Sequence, residues 1–239
     1  MMKLDILVFA AHPDDVELAC SATIVKMISR GKKVGIIDLT RGELGSRGTA
    51  EIREKEALAA MKIMGVHVRE NLGFRDGFFV QDEIHEKAII EVIRKYQPEV
   101  VIANAPSDRH PDHGRASKLV RDAAFLSGLR RIETTFEGRE QAAWRPKRLF
   151  YYIQDHALEP DFVVDVSEWY DKKRETLRAF TSQFFDPESK EPETYISSRE
   201  FWDFVEARAR IFGHMIGVAF GEGFISETPL KVEMPTDLI

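Results

Sequence analysis

Cysteine occurs once in the 239 residues, at Cys20, which excludes an intramolecular disulfide framework and fits a chain kept in a reducing, cytoplasmic compartment. Long apolar runs are missing too. The opening MMKLDILVFA is too brief for a signal-peptide core or a membrane span, and no later stretch approaches the roughly 20 apolar residues a span requires. There is also no excess of positive charge. Thirty-four lysines and arginines stand against 40 aspartates and glutamates, a net charge of −6, and the basic residues are scattered. Neither a nucleic acid nor an anionic membrane surface is an expected partner. Repeats, low-complexity tracts and a convincing linker are absent as well. What remains is a chain with 44% hydrophobic residues, enough for a sizeable core in one globular domain over 1–239. A small molecule is the expected ligand.

The hydrophobic pattern alternates between two kinds of segment. Short continuous apolar runs at 4–10, 34–39, 66–72, 99–103, 149–153 and 162–166 read as buried strands. Stretches with helical spacing fall between or after them, at 16–30, 50–64, 83–96, 115–127, 168–182 and 199–216. Strands alternating with helices predict an α/β fold: a Rossmann-like, doubly wound, mostly parallel sheet with helices on both faces. The polar segment FFDPESKEPET reads as a surface loop beside the active site.

Two motifs carry the chemistry. His12-Pro13-Asp14-Asp15 follows the first strand, and SDRHPDH, with Asp108, His110, Asp112 and His113, follows the fourth. In the usual order of a doubly wound sheet these strands are neighbours and their helices lie on opposite faces. That is the switch point at which ligands bind, so clusters about 100 positions apart are expected to converge. Two imidazoles and one carboxylate with an open position suit hydrolytic zinc, which makes His12, Asp15 and His113 the candidate ligands. Iron or cobalt fits the same set. Asp14 is then left as a base near the bound water and His110 as an acid, held in its charged form by Asp108 or Asp112. The prolines after His12 and His110 stiffen both turns. The plainer roles are helix capping by Asp14 and Asp112. Glu17 is expected as an exposed helix residue, with support of a ligating histidine as the alternative.

The remaining candidates read mostly as structure. His67, His85 and His214 are expected to be structural or exposed, and His156 is open between roles. Cys20 reads as a buried helix residue, Trp144, Trp169 and Trp202 as core or interface residues, and the Gly213/Gly217 pair as a site of close packing.

HPDD together with HPDH resembles the LmbE-like, or PIG-L, family of zinc-dependent N-deacetylases, over the whole chain. Within it, LDILVFAAHPDDVEL, DLTRGELGSRGTAEIR, NLGFRDGFF and IGVAFGEGF are similar to the branch that deacetylates N-acetylglucosaminyl malate in bacillithiol synthesis. The resemblance implies zinc on His12, Asp15 and His113, Asp14 as general base, and His110 as oxyanion stabiliser or acid. It also implies a homo-oligomer, a trimer or hexamer. Arg53 is then the first candidate for binding a malate carboxylate through its forked guanidinium. Arg109 and Arg47 follow, with solvation in a polar loop as their plainer role, and Glu43 is a candidate for sugar hydroxyls or for capping a turn. One departure stands out: Ala19-Cys20-Ser21-Ala22 replaces a glycine-rich stretch, leaving less space beside the first helical turn. Two other readings compete with the leading one: deacetylation of a different conjugate of N-acetylglucosamine (GlcNAc), such as GlcNAc-inositol or a chitooligosaccharide, and a Rossmann-type nucleotide-binding module without catalysis. The second is weakened by Ala11-His12-Pro13 in place of a glycine-rich turn.

Overall fold

Alternate residues of the first strand enter different cores. Ile6, Val8 and Ala10 pack into one apolar cluster, while Leu7, Phe9 and Ala11 pack into another, the period of two that a strand buried on both faces produces. The computed structural model describes residues 2–234 and residue 236. In chain order the elements are β1 (Ile6–Ala10), α1 (Asp15–Ser29), β2 (Val34–Thr40), α2 (Ala50–Met64), β3 (Val68–Phe74), α3 (Glu83–Tyr96), β4 (Val100–Asn104) and α4 (Pro111–Leu126). There follow β5 (Thr135–Phe136), β6 (Arg139–Glu140), β7 (Arg148–Tyr152), β8 (Phe162–Asp165), α5 (Tyr170–Arg178), α6 (Arg199–Met215) and β9 (Gly221–Ser226).

Seven strands form one sheet in the order β3-β2-β1-β4-β7-β9-β8. The first five are parallel, and β9 runs antiparallel between β7 and β8. The central pairing sets Ile6 opposite both Val34 and Val100, so β1 and β4 are neighbours as expected. Residues of α1, α2, α5 and α6 cover one face, and residues of α3 and α4 cover the other. The α/β, doubly wound architecture is therefore the one read from the sequence.

Four local departures have physical causes. The fourth helix begins at Pro111 rather than Arg115, because proline's fixed φ suits the first helical position and His110 caps it, its Nδ1 accepting from Asp112 N at 3.2 Å. Asp112 is thus inside the first turn and is not the cap. The fifth helix runs from 170 to 178 instead of 168 to 182, since Ser182 is drawn to Glu56 and Gln183 to the Arg47 carbonyl. Strand β9 went unpredicted because its glycines weaken a strand pattern. They are there for space: a Cβ on Gly221 would meet Val163 at 2.5 Å, and one on Gly223 would meet the Phe212 ring at 2.9 Å. Gly213 is likewise a point of close packing, against the backbone of 218–220.

The fourth departure lies in α1, which kinks at Cys20 (φ −140°, ψ 20°). The second half of the helix opens with Ala22 N and Thr23 N donating to the Glu222 carboxylate at 3.3 and 2.7 Å, and Lys173 Nζ pairs with that carboxylate at 2.6 Å. Residues 19–22 are buried against the core.

Candidate metal centre and active-site cavity

The C-terminal ends of β1 and β4 are stitched together by Asn104, the last residue of β4. Its Oδ1 accepts from Ala11 N at 2.9 Å and its Nδ2 donates to Asp15 Oδ2 at 3.0 Å. Asp15 is fixed further by His12 N on Oδ2 and Gln154 Nε2 on Oδ1, both at 2.9 Å. Its carboxylate then lies between two rings, with His113 Nε2 3.1 Å from Oδ1 and His12 Nδ1 3.6 Å from Oδ2. His113 reaches this point from the first turn of α4, one residue past Asp112. Asp15 opens α1, so both motifs present their side chains from helix N-terminal turns. The three candidate ligands therefore converge, as strand order predicted. Asn104 and Gln154, which hold Asp15, were not foreseen: a lone amide at a strand end carries no signal until the neighbouring strands are known.

The far nitrogen of each ring meets a carboxylate. Asp108 Oδ2 is 2.6 Å from His113 Nδ1, and Asp76 Oδ1 is 3.1 Å and Asp112 Oδ2 3.4 Å from His12 Nε2. Such partners fix ring tautomer and orientation in metal sites. They also correct an expectation, because neither Asp108 nor Asp112 gives its side chain to His110. His110 accepts the Asp112 backbone N–H at Nδ1, so a neutral ring carries its hydrogen on Nε2.

The charges fit a cation. Asp14, Asp15, Asp76, Asp108 and Asp112 crowd the site, yet among the described residues guanidinium partners reach two of them, Arg53 on Asp14 and Arg115 on Asp112. Asp15, Asp76 and Asp108 face imidazoles. Burial works against charging His113, but Asp15 and Asp108 outweigh it and push the ring up to about 9. Burial also opposes charge on Asp76, where His12 prevails and holds the carboxyl down at about 2. His110 goes the other way: burial, with His12 and His113 beside it, lowers it to about 4. Ring nitrogens of His12, His110 and His113 also lie within 4.8 Å of one another. Asp15 is the better third ligand, since it touches both other rings and His110 has no carboxylate behind it. Two nitrogens and one hard oxygen, with carboxylates behind the rings, are a donor set that suits a divalent metal.

Asp14 accepts from Arg53 Nη2 at 2.9 Å, and the same guanidinium donates to Gly42 O at 2.9 Å. Burial raises the Asp14 carboxyl while Arg53 opposes it, leaving it at about 7. Asp14 occupies the cap position of α1 but makes no side-chain cap hydrogen bond. Arg53 is buried on Asp14 and also lines the cavity, with its Nε unpartnered among the described residues, so its guanidinium holds Asp14 while still facing the space above the cluster. Glu43 is exposed and accepts from Asp76 N at 2.9 Å; it supports a loop and is absent from the cavity wall. Glu17, expected at the surface, is fully buried, paired with Arg69 at 2.5 Å, which in turn pairs with Asp38 at 2.7 Å.

A cavity of about 410 Å³ opens over this cluster, walled by His12, Asp14, Asp15, His110 and His113, with Arg109 and Tyr195 also on its wall. Exposed Arg109 stacks 4.5 Å from the Tyr195 ring centroid and lies 3.4 Å from Asp155. Arg47 is buried and tied to Ser189 Oγ at 2.6 Å and Glu191 at 3.4 Å. The segment read as a surface loop thus reaches the cavity rim. Residues 19–22 take no part in the wall, where Asp15 and Leu18 stand for this helix. The replaced glycines therefore concern the packing of Glu222 and not access to the cavity. His156 is exposed, 3.4 Å from Ser107 Oγ, and Cys20 is buried.

An α/β sheet with this cluster at its switch point has the frame of a metal-dependent hydrolase. The family model described as PIG-L, GlcNAc-PI de-N-acetylase, matches residues 7–124, and this part of the chain is a domain of that family of deacetylases. It is 37% identical to the conserved protein TT1542 of Thermus thermophilus, whose crystal structure superposes with a TM-score of 0.85 over 97% of this chain and 98% of that one. It is 28% identical over 231 residues to the diacetylchitobiose deacetylase of Thermococcus kodakarensis, covering 91% of this chain and 81% of the relative. It is 29% identical over 199 residues to a probable N-acetyl-alpha-D-glucosaminyl L-malate deacetylase 2 of Bacillus anthracis, covering 75% and 81%. Among the described residues no helix is long and apolar enough to cross a membrane.

Proposed function

We propose that this protein is a zinc-dependent N-deacetylase of a GlcNAc conjugate, with N-acetylglucosaminyl L-malate as its substrate. The observation that carries the reading is the convergence of His12, Asp15 and His113 beside Asp14 at the floor of an open cavity. Zinc, held by those three residues, supplies a more acidic water, with a pKa brought towards roughly 7, and a polarised amide carbonyl. The protein does the rest. Asp14, poised near 7 by burial against the pull of Arg53, takes a proton from the attacking water. His110, neutral and carrying its hydrogen on Nε2, donates to the oxygen that becomes negative as the carbonyl turns tetrahedral. The proton on Asp14 then passes to the departing nitrogen as the C–N bond breaks, so that amide and water yield acetic acid and a free amine. This makes His110 a neutral donor, where the sequence suggested a charged one.

Arg109 is the best-placed group for an anionic acceptor, being exposed at the cavity wall with a planar fork that suits a carboxylate. A volume of about 410 Å³ lies within the range of small-ligand sites, roughly 300–1,000 Å³. The coverage of the diacetylchitobiose deacetylase favours a second reading, a neutral chitooligosaccharide substrate. A panel of N-acetylglucosaminyl malate, GlcNAc-inositol and diacetylchitobiose, followed by mass-spectrometric loss of one acetyl group, separates the two. The malate conjugate is expected to have the highest kcat/KM, and Arg109→Ala to lower that value at least tenfold without a matching loss on diacetylchitobiose. Preference for diacetylchitobiose, unaffected by Arg109→Ala, would replace this reading with the second. No acetyl loss from any substrate with zinc-loaded protein would leave the nucleotide-binding module.

A further inference from the structure

Asp76 lies just beyond β3 in the turn Phe74-Arg75-Asp76-Gly77, outside the candidate ligand set of His12, Asp15 and His113, although its carboxylate and that of Asp112 also lie within 4.8 Å of a His12 ring nitrogen. Its backbone is pinned on both sides: Asp76 N donates to Glu43 Oε1 at 2.9 Å, and Gly77 N donates to Asp112 Oδ2 at 2.8 Å. Its carboxylate is divided between two segments. Oδ1 meets His12 Nε2 at 3.1 Å, and Oδ2 accepts from Leu44 N at 2.9 Å. Leu44, Gly45, Ser46 and Arg47 form one wall of the cavity.

We propose that Asp76 is a positioning residue that couples the ring of His12 to the 44–47 wall of the substrate cavity. The proposal rests on the reading of His12 as a metal ligand. A proton on Nε2 leaves the Nδ1 lone pair available on the side where Asp15 lies, and Asp76 is the nearer acceptor for that proton. Asp112, at 3.4 Å from the same nitrogen, is already committed to Gly77 N and to Arg115 at 2.9 Å. A carboxylate offers an acceptor to both the ring and the Leu44 N–H, whereas an amide offers a single acceptor and a donor. Asp76→Asn must therefore give up one contact: either its NH2 opposes the Leu44 N–H and the wall loosens, or its NH2 faces Nε2 and favours the tautomer with the proton on Nδ1. Loop and ligand cannot both be satisfied.

The test measures Zn2+ affinity by competition with a chromophoric chelator, together with KM on the best substrate of the panel. The proteins compared are wild type, His12→Ala, Asp76→Asn and Glu43→Ala. Asp76→Asn is expected either to bind Zn2+ about 10–100-fold more weakly, the range for partners of ligating histidines, where its NH2 faces Nε2, or to raise KM several-fold where its NH2 faces the Leu44 N–H, while metal-free unfolding stays near that of wild type. Zinc affinity within twofold of wild type together with an unmoved KM would overturn the proposal, because both contacts would then have been given up at no cost. Should Asp76→Asn fail to fold, Glu43→Ala, which removes an exposed side chain and frees the Asp76 backbone, decides the matter: a smaller loss of zinc affinity supports the proposal and no loss overturns it. Wild type that binds no zinc, or His12→Ala that binds it equally well, overturns the metal-site reading itself, a result distinct from an unaffected Asp76→Asn.

Discussion

Replacing Arg53 with Met keeps a long side chain and removes the charge beside Asp14. The guanidinium lies 2.9 Å from the Asp14 carboxylate and both groups are buried. Unit charges about 4 Å apart interact by about 4 kcal/mol at an effective dielectric of about 20. Each pH unit corresponds to about 1.4 kcal/mol, so losing the guanidinium moves the Asp14 carboxyl upward by as much as about three units. Water entering the vacated space reduces that, and a shift of at least about one unit is expected. The sign follows from the role: a base acts when deprotonated, so a higher pKa moves the acid limb of kcat/KM towards alkaline pH. For a carboxyl starting near 7, a one-unit rise cuts the deprotonated fraction at pH 7 from one half to roughly one in eleven, about a fivefold loss that disappears near pH 9. Loss that persists at pH 9 measures misplacement of Asp14. Arg53→Lys keeps the charge and should shift the limb less. The assay is a pH profile of kcat/KM with zinc content measured for each variant. An acid limb within about 0.3 unit of wild type in Arg53→Met would refute either the role of Asp14 or the electrostatic argument.

Two further outcomes follow from the same geometry. Asp14→Asn keeps an acceptor for Arg53 but has no basic oxygen, so kcat should fall by about 10²–10⁴ with zinc stoichiometry unchanged; retention of a tenth of the activity would remove Asp14 as the base. Lys173→Met strands the buried Glu222 carboxylate under the kink of α1, where Lys173 is held at 2.6 Å, and should destabilise the protein by about 3–5 kcal/mol. Urea unfolding measures this, and a loss below about 1 kcal/mol would mean that Ala22 N and Thr23 N alone satisfy the carboxylate.

How far the site could be read in advance depended on whether a residue's role is local or exists only after folding. The convergence of His12, Asp15 and His113 was legible because strand alternation fixes which strands adjoin, and adjoining strand ends fix which turns meet. The helical setting of His113 was less legible, because proline at 111 reads equally as a breaker and as a first helical residue. Glu17 was misplaced for a different reason. Its neighbours in sequence give no hint that Arg69 and Asp38, from β3 and β2, supply charges to a position buried under the sheet. Arg53 was expected to meet substrate because a guanidinium in a polar segment reads as available. Only the fold shows that Asp14 and the Gly42 carbonyl have claimed it. Asn104, Gln154 and Asp76 had no local signature, since each acts by bridging segments that the chain brings together late.

The placement of Asp15 and His113 in the first turns of α1 and α4 raises an electrostatic difficulty for a metal held there, one that the other residues answer. Both α1 and α4 begin at the cluster, and each helix N-terminus behaves as roughly half a positive charge. Two such ends disfavour a divalent cation between them. They also favour the negative oxygen that forms on a substrate carbonyl, so moving the site away from them would forfeit stabilisation of the reacting state. The crowd of aspartates resolves the conflict. Asp15, Asp76 and Asp108, with no guanidinium of their own, supply the negative charge that makes the centre attractive to a cation despite the helix ends. Because Asp76 and Asp108 meet the far nitrogens of the rings, their charge is set back from the Asp15 side by the width of an imidazole. The carboxylates behind His12 and His113 thus orient those rings, and their charge is what would let one place bind a cation and stabilise an anion.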